Sequence, residues 1–478
     1  MFVDRKRELD FLNHLLTRKR PGPAQLALIF GRRRVGKSEL LLQWAAHSEL
    51  PYTYWVAEKT SAPMQRQHFF SRLLDVPIDT APVYRSWTAL WEAASRLLSA
   101  QRRIIILDEM SYAAEADTSM LSALQNAWDL YFQNSNLAIV LCGSHVRTME
   151  NLRTAASPLF GRMTAQWHLQ PLPFSALAEF FPNWSTEERV ALYGIVGGVP
   201  AYLRWLDPDL NLVDNIRQII LDPGNLFLAE PTFLLNDEVR EPGNYRSIIQ
   251  AIGEGNHTVA DISNRTVIPR TSLMIYLQTL QELYMVERRV PATLHEAERD
   301  QSRKGRYHLT DPYFRFYFQF LAPFTANPPV DPEQVMVEIR ANLRGFIGGT
   351  TFEELARQWV AIQARAGELP FTPERIGSHW DSKVQIDVVA INFKTHSVLL
   401  GECKWGADPV DRPVITDLLD RKTRLAMASL PDAGQGWQIM HACFARAGFT
   451  QAARLEARPA GMWLVDLADL NKVLMTEQ

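Results

Sequence analysis

The sequence predicts an α/β protein: a parallel sheet with helices on both faces, followed by helical and mixed α/β segments. Three observations predict it. Residues 26–42, LALIFGRRRVGKSELLL, pass from an apolar strand through a glycine-bearing loop into a helical run. Residues 102–109, RRIIILDE, make a second apolar strand that ends in two acids. Residues 51–58, PYTYWVAE, and 137–144, LAIVLCGS, are further strands, and helical stretches separate all four. Unbroken apolar strands are what a sheet covered on both faces requires.

The loop reads G-x-x-x-x-G-K-S from Gly31 to Ser38, with the helix expected from Glu39. This spacing is that of a phosphate-binding loop. Glycine at Gly31 and Gly36 lets the backbone curl so that its N–H groups face phosphate oxygens, and the helix aims its positive end at the same anion. The candidate nucleotide-binding stretch is therefore Gly31, Arg32, Arg33, Arg34, Val35, Gly36, Lys37, Ser38 and Glu39. Lys37 reaches the β- and γ-phosphates of ATP, and the Ser38 hydroxyl ligates Mg²⁺. Asp108, at the end of the acidic strand, is placed to hold the same Mg²⁺ through water, and Glu109 to polarise the attacking water. Ser144 and His145 end the next strand, where Ser144 can sense the γ-phosphate.

Other candidates flank this core. Phe2, Arg5 and the Glu8-Leu9 pair precede the loop strand; by itself the segment reads as a surface helix, and in many ATPases of this type the stretch covers the adenine. Residues 175–235 lose the strand signal and read as helices. Within them YGIVGGVPAYLRWL forces a tight turn before a helix, and Pro200 is expected to face the base from this lid. Arg162, after a glycine in SPLFGR, is the candidate arginine finger on a neighbouring subunit's nucleotide; a salt-bridged surface arginine is the competing reading.

Composition bounds the possibilities. The 478 residues are 47% apolar and 22% charged with a net charge of −3, a globular composition that argues against a strongly basic nucleic-acid binder but not against a local basic groove. Cys142, Cys403 and Cys443 lie far apart without metal spacing and read as reduced core thiols. No signal peptide and no membrane-length apolar run are visible, so a cytoplasmic protein is expected.

Residues 244–309 follow a different pattern: helices over YRSIIQAIGEG, VADISNRT and PRTSLMIYLQTLQELYMVERR, a charged loop, and a strand at RYHLT. Three helices and a wing are the pattern of a winged helix-turn-helix. Its candidate DNA contacts are Arg270 in the third helix and Arg288, Arg289, Arg299, Arg303, Lys304 and Arg306 towards the wing; a structural role between domains is an equal reading. DPYFRFYFQFL, residues 311–321, should be a buried aromatic helix, and Pro328, Pro329 and Pro332 mark a linker.

The last segment holds a second chemical cluster. GGTTFEELARQWV, residues 348–360, starts a helix with Glu353 and Glu354 in its first turn. KVQIDVVAINF carries Asp387 inside an alternating strand, Thr395-His396 forms a turn, and SVLLGECKW returns with Glu402 and Lys404 on one face. A hairpin would bring Asp387 beside them. Carboxylates hold a hard cation such as Mg²⁺ or Mn²⁺ through oxygen, and a lysine beside them can stabilise transition-state charge. Acids in apolar strands are costly unless compensated, which favours a site over an ordinary charged hairpin.

The opening F-x-x-R-x-x-E-L, FGRRRVGKSEL, IIILDE, LCGS, SPLFGR and YGIVGGVPAYL together resemble the archaeal-type P-loop ATPases, close to the AAA+ and STAND groups. Phe352-Glu353, Ile386-Asp387 and GECKW from Gly401 to Trp405 resemble the PD-(D/E)xK nuclease-like domain often fused to them. The resemblance implies Lys37, Ser38, Asp108, Glu109 and Ser144 in ATP hydrolysis. It also implies Glu353, Asp387 and Glu402 as metal ligands, with Lys404 catalytic. Gln385 stands where such domains often carry an acid, and no proline precedes Asp387. The implied division is an ATPase core at 1–170, a helical lid at 171–235, a winged helix at 236–325 and an α/β restriction-endonuclease-like domain at 326–478. The expected protein is a Mg²⁺-dependent ATPase that controls a DNA nuclease, with DNA and further copies of its own ATPase domain as partners and no membrane. The alternatives are an ATP-loaded switch with an inactive C-terminal scaffold that binds DNA or protein, and a non-enzymatic DNA-binding regulator.

Overall fold

The computed structural model describes residues 2–18, 23–98, 101–239, 241–325 and 331–476. The chain forms two compact units: Met1–Leu172 with Val199–Ala201, and Pro173–Gly198 with Tyr202–Gln478.

The first unit is built on five parallel strands: β1 (Gln25–Phe30), β2 (Tyr52–Val56), β3 (Arg103–Asp108), β4 (Leu137–Gly143) and β5 (Ala165–His168), in the order β2-β3-β4-β1-β5. β1 lies between β4 and β5, so the acidic strand β3 is one strand removed from the loop strand. Alternate residues go to opposite faces. Leu26, Leu28, Ile105, Leu107, Ile139 and Leu141 enter one apolar cluster, while Ala27, Ile29, Ile104, Ile106, Ala138 and Val140 enter another. Period-2 alternation with both faces apolar is the physical reason the strands read as unbroken hydrophobic runs.

Two expectations are corrected here. The helix after the loop begins at Lys37, not Glu39, because Gly36 (φ 93°) supplies the left-handed residue that precedes it. β5 was not foreseen: it is a four-residue edge strand, AQWH, with mixed polarity and no run to mark it.

In the second unit, the helices Pro242–Gly253, Val259–Thr266 and Arg270–Glu282 precede an antiparallel pair, β6 (Val286–Arg289) and β7 (Arg306–Leu309). The sequence placed Val286–Arg289 in the third helix. Tyr284, at φ 55°, ends that helix and turns the chain into a strand. The intervening loop is held down. Ala292 N–H donates to Ser378 O (2.8 Å), Arg375 donates to Leu294 O (2.7 Å), and Trp380 Nε1 donates to Lys304 O (3.0 Å).

Pro328 and Pro329 of the expected linker lie outside the described residues, whereas Pro332 opens a helix capped by Asp331. That helix, Pro332–Ile347, continues through a wider π turn at Gly348–Phe352 into Glu353–Arg365. Glu353 and Glu354 therefore sit within a long helical run, not at the start of a new one. The C-terminal sheet has the order β12-β11-β10-β9-β8, with β8 (Arg375–Trp380), β9 (Gln385–Asn392), β10 (Ser397–Lys404), β11 (Gln438–Ala445) and β12 (Trp463–Asp466). β8, β9 and β10 are antiparallel neighbours; β10, β11 and β12 are parallel.

Candidate functional site

The loop between β1 and the Lys37 helix is built by close approach. A Cβ on Gly31 would lie 2.5 Å from Leu169 O, so only glycine fits there. Lys37 is 5% exposed, and its Nζ donates to Gly31 O (2.8 Å) and Arg32 O (2.9 Å), inside the curl of the loop. Pro200, first residue of the helix Pro200–Trp205, stands 3.8 Å from where a Gly36 Cβ would be. This places it against the loop.

At the end of β3, Asp108 is 1% exposed. Its Oδ2 accepts from Ser38 Oγ (2.6 Å) and from Tyr54 OH (2.6 Å), and its Oδ1 accepts from the Glu109 N–H (2.9 Å). Burial and the Asp108 charge push the Tyr54 hydroxyl above its ordinary pKa. Glu109 adopts φ 47°, and its carboxylate accepts from both the Ser144 N–H (3.0 Å) and the Ser144 hydroxyl. The structure thus brings together Ser38, Asp108, Glu109 and Ser144 from three segments far apart in sequence. The donor set, a serine hydroxyl beside a buried carboxylate, fits the coordination sphere of Mg²⁺.

Tyr54 was missed. It pairs with Ile106, two residues before Asp108, so both point to one face; the parallel neighbourhood of β2 and β3 was the signal.

Arg5 and Arg162 both make bonds within the chain. Arg5, 5% exposed at φ 95°, donates to Glu8 (2.8 Å), Gln170 O (2.9 Å) and Val35 O (2.9 Å). It fastens the phosphate loop to the segment after β5, the geometry of a brace. Phe2 packs against the apolar cluster beneath that loop. Arg162 grips Asp129 with Nη2 (2.7 Å) and Nε (2.9 Å), the salt-bridged arrangement that competed with a finger.

The second cluster lies at the β9–β10 hairpin. Val388 pairs with Gly401, so the next residues, Asp387 and Glu402, are neighbours, and Asp387 Oδ2 accepts from Cys403 N–H (2.9 Å). Glu402 is bound on both oxygens: Lys404 Nζ lies 2.7 Å from Oε1 and Lys422 Nζ 2.6 Å from Oε2. Arg357 links the helix to the strand, donating to Asp387 O (2.8 Å) and lying 3.3 Å from Glu353. Burial and then the Asp387 charge raise Glu353 to about 8; burial and then Glu402 raise Asp387. Against desolvation, Arg315 and Arg289 bring the adjacent Glu354 down to about 2. The upward shifts come first from burial and then from the neighbouring carboxylate, and oxygen donors suit a hard divalent cation. Among the described residues, however, no three His, Cys, Asp or Glu groups converge as a ready metal cage.

The basic residues proposed for DNA are largely engaged. Arg288 donates to Ser302 O (2.7 Å), Arg289 bonds Glu354 (2.7 Å), and the Arg306 guanidinium covers the Trp380 ring at 4.9 Å. No helix among the described residues is long and apolar enough to cross a membrane.

Residues 2–206 match a family described as an ATPase domain predominantly from Archaea. Residues 317–414 match one described as Archaea bacterial proteins of unknown function. An uncharacterized protein of Methanocaldococcus jannaschii is 31% identical over 451 residues, which span 92% of this chain and 95% of the relative. The chain belongs to the same family as this Methanocaldococcus jannaschii protein, and its first 206 residues carry an ATPase domain of the archaeal type. Among solved structures, a Walker-type ATPase of Pyrococcus abyssi is 20% identical with a TM-score of 0.45, over 66% of this chain and 96% of that one. The ORC2 protein of Aeropyrum pernix is 13% identical with a TM-score of 0.42, over 71% and 94%. As an archaeal-type ATPase, the chain binds nucleotide through its P-loop, and its C-terminal region belongs to a class whose function the match leaves open.

Proposed function

We propose that this archaeal-type ATPase uses its nucleotide cycle to control a metal-dependent DNA-cleaving site in its C-terminal domain. The observation that carries the reading is the β9–β10 hairpin, which sets Asp387, Glu402 and Lys404 side by side with Glu353 in electrostatic reach.

In the first unit Lys37 receives the β- and γ-phosphates, Ser38 and Asp108 hold Mg²⁺, and Glu109 takes the proton side of the attacking water. Mg²⁺ supplies charge neutralisation on the phosphates. Ser144 fixes the Glu109 carboxylate, so it governs when that base points at water. In the C-terminal domain Glu353, Asp387 and Glu402 would hold Mg²⁺ or Mn²⁺, which supplies Lewis-acid activation of a phosphodiester. Lys404 stabilises the charge that develops on the scissile phosphate. The division into ATPase core, helical lid, winged helix and nuclease-like domain, a cytoplasmic location and self-association through the ATPase domain complete this reading.

The test is cleavage of linear, circular and single-stranded DNA with Mg²⁺ or Mn²⁺ by wild type and Lys404→Ala. Cleavage that disappears in the variant supports the reading; equal cleavage by both refutes it. A second reading has one observation in its favour: both Glu402 oxygens are bound by lysines. In it, the C-terminal domain is an inactive scaffold. ATP turnover without cleavage under any condition would favour that switch.

A further inference from the structure

Lys422, like Arg357, is a residue of the C-terminal cluster that neither the hairpin nor the motif accounts for. It closes the π turn Leu418–Lys422, its side chain is 18% exposed, and its Nζ sits 2.6 Å from Glu402 Oε2. The turn is pinned, because the next residue, Thr423, donates its hydroxyl to Leu418 O (2.6 Å) and lies 2.9 Å from His441 Nε2. Lys404 takes the other oxygen from two residues along the same strand. The Glu402 side chain, 5% exposed, thus has one ammonium on each oxygen. A divalent cation that approaches Glu402 Oε2 meets the Lys422 ammonium across a weakly screened gap, so the two cations repel and compete for that oxygen.

We infer that Lys422 is a positioning residue of this site, an internal counter-ion that competes with the divalent cation for Glu402 Oε2. On displacement it presents its ammonium to a nucleic-acid phosphate. The inference rests on the metal-site reading above. It accounts for a cluster with the donors of a metal site and no converged cage: Glu402 is held by lysines and joins Asp387 and Glu353 only when a cation exchanges with them. The same device makes cation entry and phosphate capture one event, because the released lysine is an anion contact beside the cleavage centre.

The test is Mn²⁺ binding to the full chain by electron paramagnetic resonance, without nucleotide, in a Lys37→Ala background. Lys422→Met should bind Mn²⁺ about tenfold more tightly, because one competing ion pair is gone. Lys422→Arg, which keeps the charge, should stay near the parent. With Mn²⁺ present, the salt dependence of duplex binding by Lys422→Met should fall by about one phosphate contact. Parent, Lys422→Met and Lys422→Arg binding Mn²⁺ alike, while Asp387→Ala loses it, would overturn the role of Lys422 and leave the metal site standing. No Mn²⁺ binding by the parent would overturn both.

Discussion

Replacing Arg5 by Met tests whether it braces the phosphate loop or covers the base. Its guanidinium makes three bonds of 2.8–2.9 Å, and two of them end on main-chain carbonyls, Val35 O in the loop and Gln170 O beyond β5. Hydrogen bonds to a charged group contribute roughly 1.5–3 kcal/mol each, and removing one partner of a buried pair costs about 3–5 kcal/mol in all. Glu8 remains partly solvated, so the lower figure applies to the fold. Only the bond to Val35 O bears directly on loop shape, which leaves about 1.5–3 kcal/mol for ordering the loop before phosphate enters. That corresponds to roughly 10- to 100-fold weaker binding. The assay is equilibrium binding of a fluorescent ATP analogue and of inorganic tripolyphosphate to wild type and Arg5→Met. A brace predicts the same loss for both, because tripolyphosphate has no base. A loss confined to the nucleotide, or none for either, would refute the reasoning.

Tyr54→Phe removes one of two hydroxyls on Asp108 Oδ2 and should raise the Mg²⁺ concentration needed for half-maximal ATP turnover several-fold, with little change in nucleotide affinity at saturating Mg²⁺; a Mg²⁺ titration of turnover reads it. Glu354 is held at about 2 by Arg315 and Arg289, below an ordinary carboxylate. Its contribution is complete above about pH 4.5 and is lost as pH falls through 4.5 towards 2. Glu354→Gln should therefore cost about 2–3 kcal/mol at pH 7 and almost nothing at pH 2, as measured by urea unfolding at both pH values. Glu109→Gln should keep ATP binding and abolish turnover, which a filter-binding assay beside phosphate release would separate.

The centre of the first unit's sheet was legible because β1, β3 and β4 are apolar on both faces, so Leu26–Phe30 and Ile104–Leu107 announce themselves without any partner. The meeting of Ser38, Asp108, Glu109 and Ser144 was legible too, since parallel strands deliver their carboxyl ends to one edge. The β9–β10 hairpin followed from alternation and a turn at Thr395-His396. What sequence missed lies where tertiary contact overrides local pattern. Arg5 carries no local mark of the carbonyls it will reach at Val35 and Gln170. β5 is too short and too mixed to show a period, and β6 is cut from its helix by the left-handed Tyr284 alone. Lys422 reaches Glu402 from a helical turn 20 residues later, a distance over which spacing says nothing. Arg357 was within reach, four residues after Glu353 on the same helical face.

Control of DNA cleavage by nucleotide is the claim on which the account depends. The most direct measurement follows cleavage of circular DNA by the Glu109→Gln variant, with Mn²⁺, in ATP, in ADP and without nucleotide. Lys37→Ala runs beside it. The account predicts that ATP changes the cleavage rate of Glu109→Gln without being consumed and that Lys37→Ala is blind to nucleotide. Cleavage at one rate in all three conditions for Glu109→Gln would contradict it.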